Sequence, residues 1–264
     1  MEGSLVKLRL VALVGCIAVW IAGCGSSGRP AALVGPRPDL LRVGVTPDAP
    51  PVIYMQDGEI AGLETELARA LGKELGREVQ FIELPWDDQL PALTEGRTDI
   101  VMSGMSVTRT RRSDVAFTHP YMAGGLMALV PENDASEFAG PFAFVTAAKR
   151  VAVQTETTGD YFVQKYMKQA RRIAYDTVTE AFQALQAGKA DMMIHDAPVV
   201  WHLAAQESSS GIVVAQPRLT VEYYAWAIHP DRTRLLDEAN AVLDRWKANG
   251  WLQRTVQKWV PLAA

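Results

Sequence analysis

The chain has 264 residues, with 26 Lys and Arg against 30 Asp and Glu, and a formal net charge of -4 at pH 7. This mildly acidic balance argues against a nucleic-acid partner. Both cysteines lie within the first 24 residues and the four histidines lack metal-ligand spacing, so we expect no disulfide, thiol catalysis, metal or cofactor in the main body.

The amino end is typical of a lipoprotein export signal. Two basic residues, Lys7 and Arg9, precede an apolar run that ends in Ile21-Ala22-Gly23-Cys24. We expect residues 1–23 to be a signal peptide, Cys24 to be lipidated, and residues 24–38 to be a flexible tether. An uncleaved anchor helix is the alternative, but the apolar run of about 13 residues is shorter than the ~20 needed to span a bilayer. The sequence therefore predicts an exported protein, in the periplasm or at the cell surface, that is anchored to a membrane.

After the tether, the pattern is that of an α/β lobe. The predicted elements are strands at 41–45 and 79–84, a hairpin at 52–58, a helix over 63–75 that ends at Gly76, and a helix that begins near Asp87.

Residues 99–121, DIVMSGMSVTRTRRSDVAFTHPY, carry the most informative pattern in the chain. A short apolar run ends abruptly in small polar residues, and clustered arginines follow. Hydroxyl and backbone donors can surround a carboxylate there, and a guanidinium can bind it through two parallel hydrogen bonds. The donors are Ser103, Gly104 and Ser106, and the arginines are Arg109, Arg111 and Arg112. The alternative for each arginine is a solvated surface charge.

The second half of the chain predicts another α/β lobe. The predicted elements are a crossing loop at 131–141, strands at 151–153, 172–175 and 192–194, helices at 159–169, 179–186 and 198–206, a return crossing at 223–228, and two final helices separated by Gly250. We therefore expect lobe one to comprise residues 39–129 and 220–264, and lobe two residues 130–219.

An internal echo supports two matching lobes. Residues 93–102, LTEGRTDIVM, and 185–194, LQAGKADMMI, share a helix end, a glycine, a basic residue, an aspartate and a buried strand. Chance similarity of a common helix-strand connection is the alternative. Because ligands bind beyond the carboxyl ends of strands in open α/β sheets, the arginine cluster after one strand and Asp196 after the other predict a clamp for a zwitterion such as an α-amino acid. The alternative for Asp196 is a helix N-cap before Pro198.

The arginine block resembles the signature of the family 3 extracellular solute-binding proteins, the receptors of amino-acid ABC transporters. That signature reads G-M-T-x-T-x-x-R and then F-S-x-P-Y, and here the chain reads GMSVTRTR from Gly104 and FTHPY from Phe117. The resemblance implies a type II periplasmic-binding-protein fold, in which two lobes, each a mostly parallel sheet flanked by helices, are joined by a two-strand hinge. It also implies a monomeric receptor, without enzymatic activity, that closes on an amino acid and serves a permease in the inner membrane.

Four further assignments follow from the resemblance. Arg111 takes the place of the arginine that binds the ligand carboxylate, and Asp196 that of the aspartate that binds the α-ammonium group. Trp86 matches the aromatic that stacks on the ligand side chain, its alternative being an anchor at a helix start. Thr157 and Thr158 match threonines that also reach the carboxylate.

The chain departs from the family pattern at two positions, and the resemblance leaves two other functions open, because the family also includes dehydratases. Ala49 stands where many members have an aromatic residue, and Glu156 replaces a usual glycine. One alternative is an accessory or sensory binding protein without a transport role. Another is a dehydratase of the cyclohexadienyl type on the same fold, for which Glu156, Asp48 or His195 could supply the acid or base.

Overall fold

The computed structural model describes residues 39–206 and 210–263. The predicted signal peptide, Cys24 and the tether lie outside these residues. No helix in the part that the structure describes is long and apolar enough to cross a membrane.

The described chain contains both strands and helices. The strands are β1 (Leu40–Val45), β2 (Asp48–Ala49), β3 (Ile53–Gln56), β4 (Glu59–Ala61), β5 (Glu78–Glu83), β6 (Ile100–Val101), β7 (Ala116–Phe117), β8 (Met122–Gly124), β9 (Leu126–Pro131), β10 (Arg150–Gln154), β11 (Arg171–Tyr175), β12 (Met192–Asp196), β13 (Ile212–Ala215), β14 (Glu222–Tyr224) and β15 (Ala227–Ile228). The helices are α1 (Leu63–Leu75), α2 (Gln89–Thr94), α3 (Pro141–Thr146), α4 (Thr158–Tyr166), α5 (Val178–Gln186), α6 (Ala197–Gln206), α7 (Thr233–Ala248) and α8 (Trp251–Trp259).

Two five-stranded sheets form the two lobes. The first has the order β5-β1-β6-β15-β7 and the second the order β11-β10-β12-β9-β13. In each sheet four strands run in one direction, and the fourth strand in the order, β15 or β9, runs against them. The predicted two-lobed α/β fold with mostly parallel sheets is confirmed.

Each sheet is covered by amphipathic helices. In the first lobe, the apolar faces of α1, α7 and α8 share one core with β1, whose six residues are all buried. In the second lobe, α5 and α6 pack on one face of the sheet and α4 on the other. Burial on both faces explains why the central strands are continuously apolar rather than alternating. Among the described residues, the apolar clusters of the two lobes are formed from Leu41 onward.

The chain crosses between the sheets through β8 and β14, which pair antiparallel. Gly125 follows β8 with a φ of 145°, and a Cβ there would lie 2.0 Å from the carbonyl oxygen of Thr220 on the returning segment. Only glycine allows this approach of the two crossing segments.

The first crossing comes earlier than the sequence predicts. Strand β9 pairs with β12 and β13 in the second sheet, so Leu126–Pro131 belongs to lobe two, and the expected boundary between Leu129 and Val130 falls inside a strand. The loop at 131–141, interpreted as the crossing, therefore lies within lobe two. Residues 122–130, MAGGLMALV, are continuously apolar around Gly124 and Gly125, so no polar turn marks the change of sheet.

The internal echo corresponds to a repeated structural module. Asp99 accepts hydrogen bonds from the backbone N–H, Nε and Nη2 of Arg42, at 2.9, 3.0 and 2.7 Å. Asp191 accepts the same three hydrogen bonds from Arg150, at 2.8, 3.1 and 2.5 Å. In both lobes, therefore, the aspartate of the echo binds the arginine on the neighbouring parallel strand.

Candidate functional site

The eight predicted ligand-binding residues line one cavity. The space between its atoms, including the part that is open to solvent, is about 520 Å³. The residues brought together are Trp86, Ser103, Gly104, Ser106, Arg111, Thr157, Thr158 and Asp196. They come from both sheets, so the cavity lies between the lobes.

The first wall of the cavity is the loop that follows β6. Ser103 accepts a hydrogen bond from the backbone N–H of Thr46 at 2.9 Å. Gly104, with a φ of 70°, donates its N–H to Oε1 of Glu64 at 3.0 Å. Glu64 is fully buried, and it also accepts hydrogen bonds from Tyr121 at 2.7 Å and from the indole of Trp226 at 2.9 Å. Burial raises the pKa of Glu64 to about 7, although its three donors oppose the shift. The buried Glu64 carboxyl group therefore holds the loop that follows β6 in place.

Arg111 is the buried member of its arginine cluster, with 9% of its surface exposed, whereas Arg109 and Arg112 are exposed. Its Nη1 donates to the Ser106 carbonyl at 2.9 Å, and its guanidinium lies 5.2 Å from the centre of the Trp86 ring. Burial lowers the pKa of Arg111. No carboxylate of residues 39–206 and 210–263 forms an ion pair with it. The cavity thus contains a desolvated cation whose remaining N–H groups can bind an anion.

The opposite wall is the turn between β10 and α4. Glu156 adopts a φ of 59°, so the left-handed conformation typical of glycine is kept although a glutamate stands there. Its carbonyl accepts hydrogen bonds from Arg111 Nη2 at 3.3 Å and from the Trp86 indole at 3.2 Å. Thr157 caps α4 by accepting the N–H of Asp160 at 3.3 Å. Because the first N–H groups of a helix lack intrahelical acceptors, this helix start favours an anion near Thr157 and Thr158.

Asp196 ends β12 beside this turn. Its Oδ1 is buried and makes no well-aligned hydrogen bond among the described residues, although the Tyr224 hydroxyl lies beside the carboxyl group. Burial raises the pKa of Asp196 to about 8, and the nearby Glu222 carboxylate adds to the shift, whereas the Tyr224 hydroxyl opposes it. The neighbouring His195 is buried, and burial lowers its pKa to about 4, which keeps it neutral.

The lining of the cavity also includes residues that the sequence analysis did not assign to ligand binding, among them Tyr224, Asp48 and Gln154. Tyr224 comes from the returning segment β14, and its buried hydroxyl lies beside the Asp196 carboxyl group, whereas the Ser106 hydroxyl has no hydrogen-bond partner in the part of the chain that is described. Asp48 and Gln154 also line the cavity and contact each other across it. Gln154 occupies the end of β10, a position comparable to that of Asp196 on β12. A polar residue at the end of a predicted strand was therefore visible in the sequence. Within the described ranges, no cluster of His, Cys, Asp and Glu could hold a metal ion.

These features define an α/β binding protein with a cleft between two lobes. Comparison with known proteins agrees, since the sequence model of the bacterial extracellular solute-binding proteins, family 3, matches residues 41–261. The chain belongs to this family.

Individual relatives are similar along most of their length. The ABC transporter arginine-binding protein 1 of Escherichia coli K12 is 28% identical, over 84% of this chain and 90% of the relative. Among solved structures, the ancestral amino acid-binding protein AncCDT-1, a precursor of cyclohexadienyl dehydratase, is 34% identical, with a TM-score of 0.79 and coverage of 84% of this chain and 96% of the other. An ancestral arginine-binding protein bound to arginine is 29% identical, with a TM-score of 0.79 and coverage of 84% and 98%.

Proposed function

We propose that the chain is a receptor that captures a free α-amino acid between its lobes and presents it to the permease of an ABC importer. The observation that supports this proposal is that one cavity contains two buried, oppositely charged groups that form no ion pair among the described residues: the Arg111 guanidinium, and the Asp196 carboxyl group, whose Oδ1 makes no well-aligned hydrogen bond there. A zwitterion complements both groups at once. The arginine-binding relatives support an amino acid as the ligand class.

Each contact has a defined role in this proposal. The guanidinium of Arg111, the hydroxyl of Ser106 and the start of α4 at Thr157 and Thr158 bind the ligand carboxylate. Asp196 binds the α-ammonium group. The Ser103 and Gly104 loop completes the same wall, and Trp86 contacts the ligand side chain. Closure removes water from these contacts and strengthens them.

Of the three candidate acids and bases of a dehydratase, two make hydrogen bonds within the protein and the third has an exposed side chain. Asp48 Oδ2 accepts two N–H groups, and His195 uses both ring nitrogens in hydrogen bonds. The side chain of Glu156 is exposed, while its backbone carbonyl binds Arg111 and Trp86. These contacts favour binding without chemistry.

A thermal-shift screen of residues 33–264 against the common amino acids and prephenate tests the proposal. A ligand at 100 times its dissociation constant adds about 2.7 kcal/mol, which raises Tm by roughly 5 to 10 °C for a domain of this size. Arg111→Ala should abolish the rise, whereas Arg112→Ala, which removes an exposed arginine from the same turn, should keep it. If no amino acid raises Tm, the zwitterion site is wrong and an accessory role is favoured. A rise with prephenate alone would favour the dehydratase.

We further propose that the protein is exported and anchored by lipid at Cys24, after removal of residues 1–23. Expression of the full chain in bacteria fed a labelled fatty acid tests this. Label should enter the wild type and Cys16→Ser but not Cys24→Ser. Label that persists in Cys24→Ser would contradict the anchor.

A further inference from the structure

Asp48 belongs to the first lobe, yet its carboxylate is bound by the second. Oδ2 of Asp48 accepts a hydrogen bond from Gln154 Nε2 at 2.9 Å and another from the backbone N–H of Val178 at 3.3 Å. Gln154 ends β10 and Val178 is the first residue of α5, so both donors lie in lobe two. A carboxylate at the start of a helix is also favoured by the helix dipole.

The direction of the Gln154 side chain is set from inside lobe two. The backbone N–H of Asp196 can only donate, and it donates to Nδ1 of His195 at 2.8 Å. The proton of the neutral ring therefore lies on Nε2, which donates to Oε1 of Gln154 at 3.1 Å. The amide nitrogen of Gln154 is consequently directed toward the first lobe, and it also donates to the carbonyl of Asp176, within lobe two, at 3.2 Å.

In this chain of hydrogen bonds, each group donates to the next one in the direction from Asp196 to the edge of the cleft. Lobe two therefore presents two N–H donors, from Gln154 and Val178, before any group of lobe one arrives. Asp48 supplies the acceptor that they require. When the lobes separate, Gln154 keeps its hydrogen bond to the Asp176 carbonyl, and water can bind the N–H of Val178. Opening therefore leaves neither donor without an acceptor.

We propose that Asp48 is a positioning residue that holds the lobes closed by binding the pre-oriented donors of Gln154 and Val178. This role goes beyond amino-acid capture and rests on the two-lobed fold rather than on the identity of the ligand. Asp48 acts after the lobes have met, so its loss accelerates ligand release without changing which ligand is preferred.

The first test measures the distance between the lobes. Residues 33–264 contain no cysteine, so Gln80→Cys on lobe one and Gln169→Cys on lobe two, both exposed, allow spin labels to be attached at two sites only. Distance distributions are recorded without ligand and with L-arginine for wild type, Asp48→Ala, Gln154→Leu and the double variant. Asp237→Ala, an exposed aspartate on α7, is the control.

The expected result is that Asp48→Ala lowers the ratio of short to long distances about tenfold, the scale of one hydrogen bond to a charged group. Gln154→Leu should have a similar effect, and the double variant should add little to either. Asp48→Asn, which keeps an oxygen acceptor, should fall between wild type and Asp48→Ala. A wild type that lacks the short distance, or an Asp48→Ala distribution equal to wild type, would overturn the proposal.

The second test separates closure from recognition. Stopped-flow measurements with L-arginine and L-glutamine should show dissociation from Asp48→Ala about tenfold faster than from wild type, with unchanged association and an unchanged ratio of the two affinities. A changed ratio would assign Asp48 to ligand recognition instead. If neither amino acid binds the wild type, their assignment as ligands fails, while the ligand-free distance distributions still decide the role of Asp48.

Discussion

Replacing Glu156 by glycine should stabilise the protein. Glu156 holds a φ of 59°, a conformation that costs an L-residue roughly 1–2 kcal/mol. The side chain of Glu156 is exposed, and its hydrogen bonds are made by the backbone. The N–H donates to Asp160 at 3.0 Å, and the carbonyl accepts from Arg111 and Trp86. Glycine relieves the strain, but it also makes the unfolded chain more flexible, which costs about 0.5–1 kcal/mol. The net expectation is a gain of about 0.5–1 kcal/mol.

Thermal unfolding of residues 33–264 measures this gain. A stabilisation of that size raises Tm by roughly 1 to 4 °C in a domain of about 230 residues. Glu156→Ala is the matched variant, because it removes the side chain but keeps the Cβ, and it should leave Tm near the wild-type value. If Glu156→Gly has no higher Tm than Glu156→Ala, the backbone does not carry the strain and the reasoning is refuted.

Two further predictions concern buried carboxyl groups. Because the pKa of Asp196 is raised to about 8, the ligand-free site holds a proton below that pH, and an ammonium ligand must displace it. Amino-acid affinity should therefore rise about tenfold per unit between pH 5 and 7 and level off above pH 8 in calorimetric titrations; a flat profile would contradict the shift. Glu64→Gln should lower Tm by several degrees, since an amide nitrogen would face the N–H of Gly104 or Trp226 at a cost of about 1–3 kcal/mol. Glu78→Gln, at an exposed position, should leave Tm unchanged, and equal Tm values for the two variants would argue against this role of Glu64.

The sequence contained enough information to predict both halves of the cleft. The echo placed two similar strands in separate lobes, and polar residues at their ends, Ser103 and Asp196, meet in the cavity. The choice of Arg111 among three arginines depended on the resemblance, because residue type and spacing do not tell a buried guanidinium from an exposed one. Burial is decided by packing against Trp86 and the turn at Glu156, which lie far away in the sequence.

Local sequence patterns could not predict the contacts across the cleft either, because the residues involved are distant in the sequence. Asp48 and Gln154 are 106 residues apart, and neither carries a periodicity or a motif that identifies its partner. Tyr224 belongs to a three-residue strand, too short for a strand pattern to be distinguished from a loop. The position of the first crossing was concealed for a related physical reason, since Gly125 allows an apolar stretch to change sheets without a polar turn.

The paired arginine and aspartate of each lobe, Arg42 with Asp99 and Arg150 with Asp191, bear on how such a receptor can diversify. The aspartate of each pair immediately precedes a strand, β6 or β12, that leads to the cleft. The same structural module therefore positions Ser103 in lobe one and Asp196 in lobe two. Trp86, which is proposed to contact the ligand side chain, and Ala49 lie outside these modules, Trp86 between β5 and α2 and Ala49 in the short strand β2. Substitutions there can change the preferred side chain while the grip on the two charged ends of an amino acid is inherited intact.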